Sequence, residues 1–352
     1  APALGADQHL VGPTRAFGPT PTGGGRRPVF DGLKVADFSW VGAGPLVSKD
    51  LANLGATVLR VESEKFIDPL RIVPPWKDGI PNHSTGHCMA NFNQSKLGLG
   101  LDLGNPAARE VIDRIVDWAD VVIESFVPGT AARFGLDAET VRARRPELVM
   151  LSSCMRGQTG PERGYTGFGM QGAALAGFVA VTGWDDRLPA GPFAAYSDFL
   201  APRFSLAALA AAIRHRNRTG DGQYVDLAQV EAAMHVLEPT VLDQVVNGRT
   251  AGLPGTDSDR ACPHGVYRAA GTERFVAIAV ETGGQWEALR GMVPELAAFA
   301  GAALGDLEHR IARRRELEAA LATAFVNADP FELARRLRDA GSRRTPCSGP
   351  PT

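Results

Sequence analysis

From Leu33 to Glu62 the chain reads LKVADFSW, VGAGP, LVSKDLANLGA and TVLRVE. That is an apolar, partly β-branched run, a glycine-containing turn, a stretch with helical spacing, and a second apolar run. A strand, a helix and a strand in this order open an α/β domain with a parallel sheet, because parallel neighbours need a crossover that a helix supplies. Pro45 suits the first helical turn, where its missing N–H costs nothing. The alternation resumes with the helix PAAREVIDRIVDWA, the strand DVVIES, a helix near AETVRARR and the strand LVMLSS. SLAALAAAIRHR is a strong helix rich in Ala and Leu, QYVDLA a strand, and QVEAAMHVLEPTVLDQVV a helix or helix pair.

After Gly252 the texture changes. GVYRAAGTERFVAIAV predicts a hairpin, followed by the helical segments GQWEALRGM, RIARRRELEAALATAF and PFELARRLRDAG. The expected organisation is a tail or linker over residues 1–27, a large Rossmann-like α/β domain over 28–224, and linking helices with a small α+β domain over 225–341. Residues 342–352, SRRTPCSGPPT, fit neither helix nor strand. The formal net charge of -2 argues against a nucleic-acid partner. No apolar run reaches the roughly 20 residues of a membrane span. Four cysteines without CxxC spacing indicate neither a disulfide framework nor a zinc site, so a reduced cytoplasm is the expected compartment.

Read singly, the chemical signals are weak. Gly42 and Gly44 in VGAGP would let a ligand approach the backbone at a helix N-terminus, with Glu62 as an acidic residue after the second strand. Pro45 and Ser48 nevertheless break the dinucleotide fingerprint, and a tight strand-to-helix turn is the plainer reading. Asp198, in AAYSDFLAP, is either a helix-start aspartate or a carboxylate nucleophile. His83 and His87 have i, i+4 spacing but a glycine-containing polar context, so no metal pair is expected. His215 and Arg216 read as a solvated helix end.

Taken together, GLKVADFSWVGAGP, LANLGATVLRVE, NQSKLGLGLDL, DVVIESFVPGTAARFGLD, GQTGPERGYTGFGMQGAALAGFVAVTG, YSDFLAP, RTGDGQYVDLAQVEA and PHGVYRAAGTERFVAIAV resemble the class III CoA-transferase family, in the family's order. The resemblance runs from about Val29 to Gly341. It implies exchange of CoA between an acyl-CoA thioester and a free carboxylic acid, with no prosthetic group and no metal, in an interlocked ring-like homodimer. The aspartate of YSD, Asp198, is the implied acyl acceptor. Lys96 and Arg133 are implied at the nucleotide end of CoA, Asn93 and Phe126 along its path, Arg60 after the second strand, and Val41 and Ala43 with backbone beside CoA. Gly42 departs from the glutamine of formyl-CoA transferases, which suggests a bulkier acid, and Ser125 replaces an asparagine. Gly252, Gly255 and Gly265 are the nearest counterparts of a glycine-rich oxyanion loop.

Two alternatives stand beside this reading. An α-methylacyl-CoA racemase would pair the aspartate with a histidine, but that position holds Phe168, which carries no proton. The other is a truncated, inactive CoA-binding chain: a one-base shift in GC-rich codons near Gly341 would turn the tail into a family-like VAAHPVLRTAD. The linker-like start also suggests one half of a tandem fused transferase.

Overall fold

The computed structural model describes residues 27–339 and, as backbone, a strand at Arg344–Ser348. Of the expected tail over residues 1–27, residues 1–26 lie outside the described residues. Six parallel strands build the main sheet: β1 (Lys34–Asp37), β2 (Thr57–Glu62), β3 (Leu97–Gly100), β4 (Val121–Glu124), β5 (Val149–Cys154) and β6 (Tyr224–Ala228). Their spatial order is β3-β2-β1-β4-β5-β6, the doubly wound order of Rossmann folds. Val35 stands opposite Val58 on one side and Val121 on the other, and Ile123 opposite Leu151.

Alternation along the strands feeds two cores. Val35, Val58, Val121 and Ile123 pack with Val47 and Leu51 of helix α1 (Ala43–Asn53). Their neighbours Ala36, Leu59 and Val122 pack on the other face with Ile112 and Val116, and that face continues below into a further helix. Each aliphatic side chain buried in this way contributes roughly 1.5–3 kcal/mol. Helix α2 (His87–Asn93) precedes β3, α3 (Ala108–Trp118) carries Ile112, and α4 (Ala138–Arg144) starts from Asp137, whose side chain accepts the Thr140 N–H. Helix α5 (Gly169–Leu175) precedes α6 (Tyr196–Thr219), which adds Leu209 and Ile213 to the α1 side of the sheet. Then come α7 (Gln229–Met234) and α8 (Glu238–Asn247).

The second unit has β7 (His264–Arg268) and β8 (Arg274–Ala279) as the expected antiparallel hairpin. Helices α9 (Gly283–Met292), α10 (Leu307–Ala312), α11 (Arg314–Phe325) and α12 (Pro330–Asp339) follow. Its own core gathers Trp286, Leu289, Leu296, Leu317, Leu321 and Phe325.

Two sequence-based expectations need correction. The first unit comprises the described residues up to Ala180 together with Ala190–Ala251, while Val181–Pro189 and the residues from Gly252 belong to the second. The expected boundary at 224/225 cut through β6, which the ladder to β5 ties into the large sheet, and left α7 and α8 on the wrong side. Arg344–Ser348, read as structureless, forms β9, antiparallel to β8. The free backbone groups of β8 supply a pairing template that the local sequence does not announce, and Pro346 is tolerated on an edge strand.

Candidate active site

The C-terminal ends of β1 and β4 point the same way, and the chain leaves them in opposite directions across the sheet. This is the switch point at which doubly wound sheets bind ligands. A cleft of about 150 Å³ opens there, a volume of the size that holds benzene in an engineered cavity. Trp40, Val41, Gly42 and Ala43 line it after β1, Ser125, Val127 and Pro128 after β4, and Ser153, Cys154 and Met155 at the end of β5. Arg163, residues 165–168, Asp198 and Gln229 complete the wall.

The β1–α1 turn is tightly built. Val41, a β-branched residue, sits at φ 59°, a left-handed conformation costing roughly 1–3 kcal/mol that only the surroundings can hold. Those surroundings are visible. The Trp40 N–H donates to Ser125 Oγ at 2.9 Å and the Val41 N–H to Asp68 Oδ2 at 3.1 Å. Gly44 admits no side chain, because a Cβ there would lie 2.2 Å from the Cβ of Ser39. The N–H groups of the first turn of α1 have no acceptor within the helix, and Gly42 and Ala43 face the cleft.

Asp198 lies in the first turn of α6 and is 7% exposed. Pro202, four residues on, lacks the N–H that would otherwise bond the Asp198 carbonyl. The Gly169 N–H donates to Asp198 Oδ2 at 3.1 Å. Gln229 also hydrogen-bonds the carboxylate, and the Ser197 hydroxyl, donating to Gln229 Oε1 at 3.3 Å, turns the amide so that its NH₂ end is free for Asp198. Burial outweighs these donors and pushes the carboxyl up to about 6. Gly42 presses directly on it: an added Cβ would lie 3.0 Å from both Cβ and Cγ of Asp198. The space that the sequence suggested for a bulkier acid is therefore filled by the aspartate itself.

The expected CoA-binding residues divide into two groups. Lys96 is interior, its ammonium donating to Asp37 Oδ2 at 2.9 Å, the Pro45 carbonyl at 2.9 Å and Asn93 Oδ1 at 2.8 Å. Three donors meet three acceptors, so none remains for a phosphate. Burial draws Lys96 down to about 8, while Lys96 and Arg60 hold Asp37 below the usual carboxylate range against the opposing effect of burial. Arg60 is 0% exposed and bonds Glu62, Asp68 and the Ser39 carbonyl. Glu62 also receives two bonds of 2.8 Å from Arg71. Lys96, Asn93, Arg60 and Glu62 thus support the floor under the β1–α1 turn, with the donors of Lys96 and Arg60 turned to protein acceptors. A short motif reports that a cation stands near a ligand, not whether its donors are already taken.

Arg133 is exposed and carries no ion pair among the described residues, so its cation is available. Phe126 lies beside Phe134 with the two rings tilted by 59°, and gives its N–H to Glu124 at 2.7 Å. Gly252, Gly255 and Gly265 belong to the second unit. There Gly255, at φ 57°, lies where a Cβ would meet the Trp184 ring at 2.6 Å. Sequence reasoning missed Gln229 and Arg163. Gln229 sits in a quoted signpost, DLAQVEA, without a role attached, and Arg163 is a loop residue that no periodic pattern marks. Among the described residues no cluster of three or more histidine, cysteine, aspartate or glutamate side chains could hold a metal ion, and no helix is long and apolar enough to cross a membrane.

Comparison with known proteins decides the family. The pattern of CoA-transferase family III matches residues 30–350. The chain belongs to this family. The succinyl-CoA:mesaconate CoA-transferase of Haloarcula marismortui is 33% identical over 301 residues, 83% of this chain and 74% of that protein. The succinate–glutarate CoA-transferase of Agrobacterium fabrum is 32% identical over 267 residues, 75% of this chain and 66% of that protein. A crystal structure of a CAIB/BAIF family protein from Brucella suis superposes with a TM-score of 0.82 at 28% identity, covering 92% of this chain and 85% of that one. Membership makes the chain a CoA-transferase by class, with CoA thioesters as substrates and no prosthetic group.

Proposed function

We propose that this chain transfers CoA between an acyl-CoA and a free carboxylic acid through acyl intermediates on Asp198. The observation that carries the reading is a single buried carboxylate in the switch-point cleft, oriented by two N–H donors and by no cation. Such a carboxylate is desolvated and basic enough to attack a carbonyl. An Asp198 oxygen adds to the thioester carbon, the C–S bond breaks, and CoA leaves as thiolate with a mixed anhydride on Asp198. The thiolate then attacks the Asp198 carbonyl of the anhydride, releasing the first acid and leaving an aspartyl-CoA thioester. The acceptor acid repeats the two steps in reverse. Free N–H groups at the start of α1 are placed to stabilise the oxyanion. Arg133 is the available cation for the phosphates of CoA.

A racemase would need a second proton carrier beside Asp198, and no histidine lines the cleft. Phe168 lines it instead, half-exposed. The names of the two relatives, one a succinyl-CoA and the other a succinate transferase, support a short dicarboxylic acyl group for this chain as well. The same reading takes in an interlocked homodimer and a cytoplasmic location, the latter supported by free Cys88, Cys154 and Cys262. The test is an intermediate trap: incubation with succinyl-CoA and hydroxylamine, then peptide mass spectrometry. A hydroxamate at Asp198, missing in Asp198→Ala, is expected; an unmodified Asp198 in a folded chain that still binds CoA would overturn the reading.

A further inference from the structure

The cleft wall holds two formally charged side chains, Asp198 and Arg163, in a lining that is otherwise neutral. Arg163 lies in the loop between β5 and α5. Its neighbour Glu162 is taken by Arg156, and the one hydrogen bond of the Arg163 guanidinium is a long 3.5 Å contact to the Gly160 carbonyl. No carboxylate pairs with it among the described residues. The surfaces beside it are apolar or aromatic, with Tyr165, Phe168, Val127 and Pro128 on the same wall.

An uncompensated guanidinium facing an apolar cleft is suited to an anion that brings its own hydrocarbon linker. Asp198 already accounts for the acyl carbon. We infer that Arg163 binds the distal carboxylate of a short dicarboxylic acyl group while its proximal carbonyl reacts at Asp198. The inference rests on the Asp198 reading and adds to it the residue that selects the substrate class. The planar fork of arginine can take a carboxylate by two parallel N–H···O bonds, which lysine cannot do. A monocarboxylic acyl group of the same length would leave the guanidinium unpaired and place a methyl group against it. Arg163 is thus a specificity-determining residue, in reach of either the acyl donor or the acceptor acid, since each occupies the same cleft in turn.

The experiment compares succinyl-CoA with butyryl-CoA, which match in chain length and differ in the distal carboxylate. The rate of hydroxamate formation at Asp198 would be followed against thioester concentration for the unsubstituted chain, Arg163→Met and Arg163→Lys. A charged hydrogen-bonded pair at a partly solvated site is worth roughly a 10- to 100-fold preference. The unsubstituted chain is expected to favour succinyl-CoA by about that factor, mainly through a lower half-saturation concentration. Arg163→Met should remove the preference and Arg163→Lys restore part of it. Because the side chain is exposed, all three chains should fold alike, which circular dichroism would check. A preference unchanged in Arg163→Met, or absent from the unsubstituted chain, overturns the assignment. No hydroxamate at Asp198 with either thioester in the unsubstituted chain would instead remove the Asp198 reading, and the Arg163 assignment with it.

Discussion

Asp198 shows how a residue is made reactive at a cost to stability. Its carboxyl is raised from 3.8 to about 6, so between these values the folded chain binds more protons than the unfolded one. Stability then falls as pH rises through that window, and above pH 6 the charge costs about 3 kcal/mol. Asp198→Asn should therefore be inactive yet more stable at pH 8, with the gain vanishing near pH 4; thermal melts at the two pH values check this. Activity runs the other way, because only the ionised carboxylate attacks. The rate of hydroxamate formation should fall below an apparent pKa of about 6, and a profile flat down to pH 5 would contradict the assigned nucleophile. Gly42 supplies a second test. Its φ of -107° suits any residue, so Gly42→Ala introduces no backbone strain and acts through its Cβ alone, 3.0 Å from the Asp198 side chain. Moving the carboxylate by a few tenths of an ångström should lower the trapping rate by about 10- to 100-fold with a stability change near 1 kcal/mol.

Among the elements, the β1–α1 turn is held by interior charge. Lys96 reaches it from the start of β3, Arg60 from β2 and Asp68 from the segment after β2, while Asp37 ends β1. Removing one partner of such a set leaves a charge buried and uncompensated, a loss of about 3–5 kcal/mol. Lys96→Met should accordingly lower stability by that amount, measured by urea denaturation, and should weaken the trap at Asp198 by loosening Val41 and Gly42. A Lys96→Met chain as stable as the parent but unable to bind CoA would return Lys96 to the ligand. This is also where the sequence stopped being legible. Strand and helix order could be read because buried strands and crossover helices write their periods into consecutive residues. The aspartate could be found because a motif preserved its surroundings. Whether Lys96, Arg60 and Asn93 face a phosphate or one another depends on partners 2 to 59 positions away, which no local pattern records. Arg163 posed the opposite difficulty: its meaning lies in the absence of a partner, visible only when the surrounding side chains are in place.

For the whole molecule, the division into two units with separate cores explains why one boundary was misplaced and sets the last prediction. The sequence changes texture at Gly252, and the structure changes units there; before that point β6 and α7 bury apolar residues with the large sheet and its neighbours, and α8 belongs to the same unit although none of its residues is buried. The second unit stands on Trp286, fully buried at the centre of a cluster drawn from β7, β8, α9, α11 and α12. A domain with its own core can open without carrying its neighbour along. Trp286→Ala removes the largest fully buried side chain there and should cost about 3–5 kcal/mol. Hydrogen exchange would locate the loss. Amides of β7, β8 and α9 should exchange faster by two orders of magnitude or more, while those of β1, β4 and β5 keep their protection. Equal acceleration in both sets would mean that the two cores unfold as one cooperative unit, and the division seen in the packing would then carry no energetic meaning.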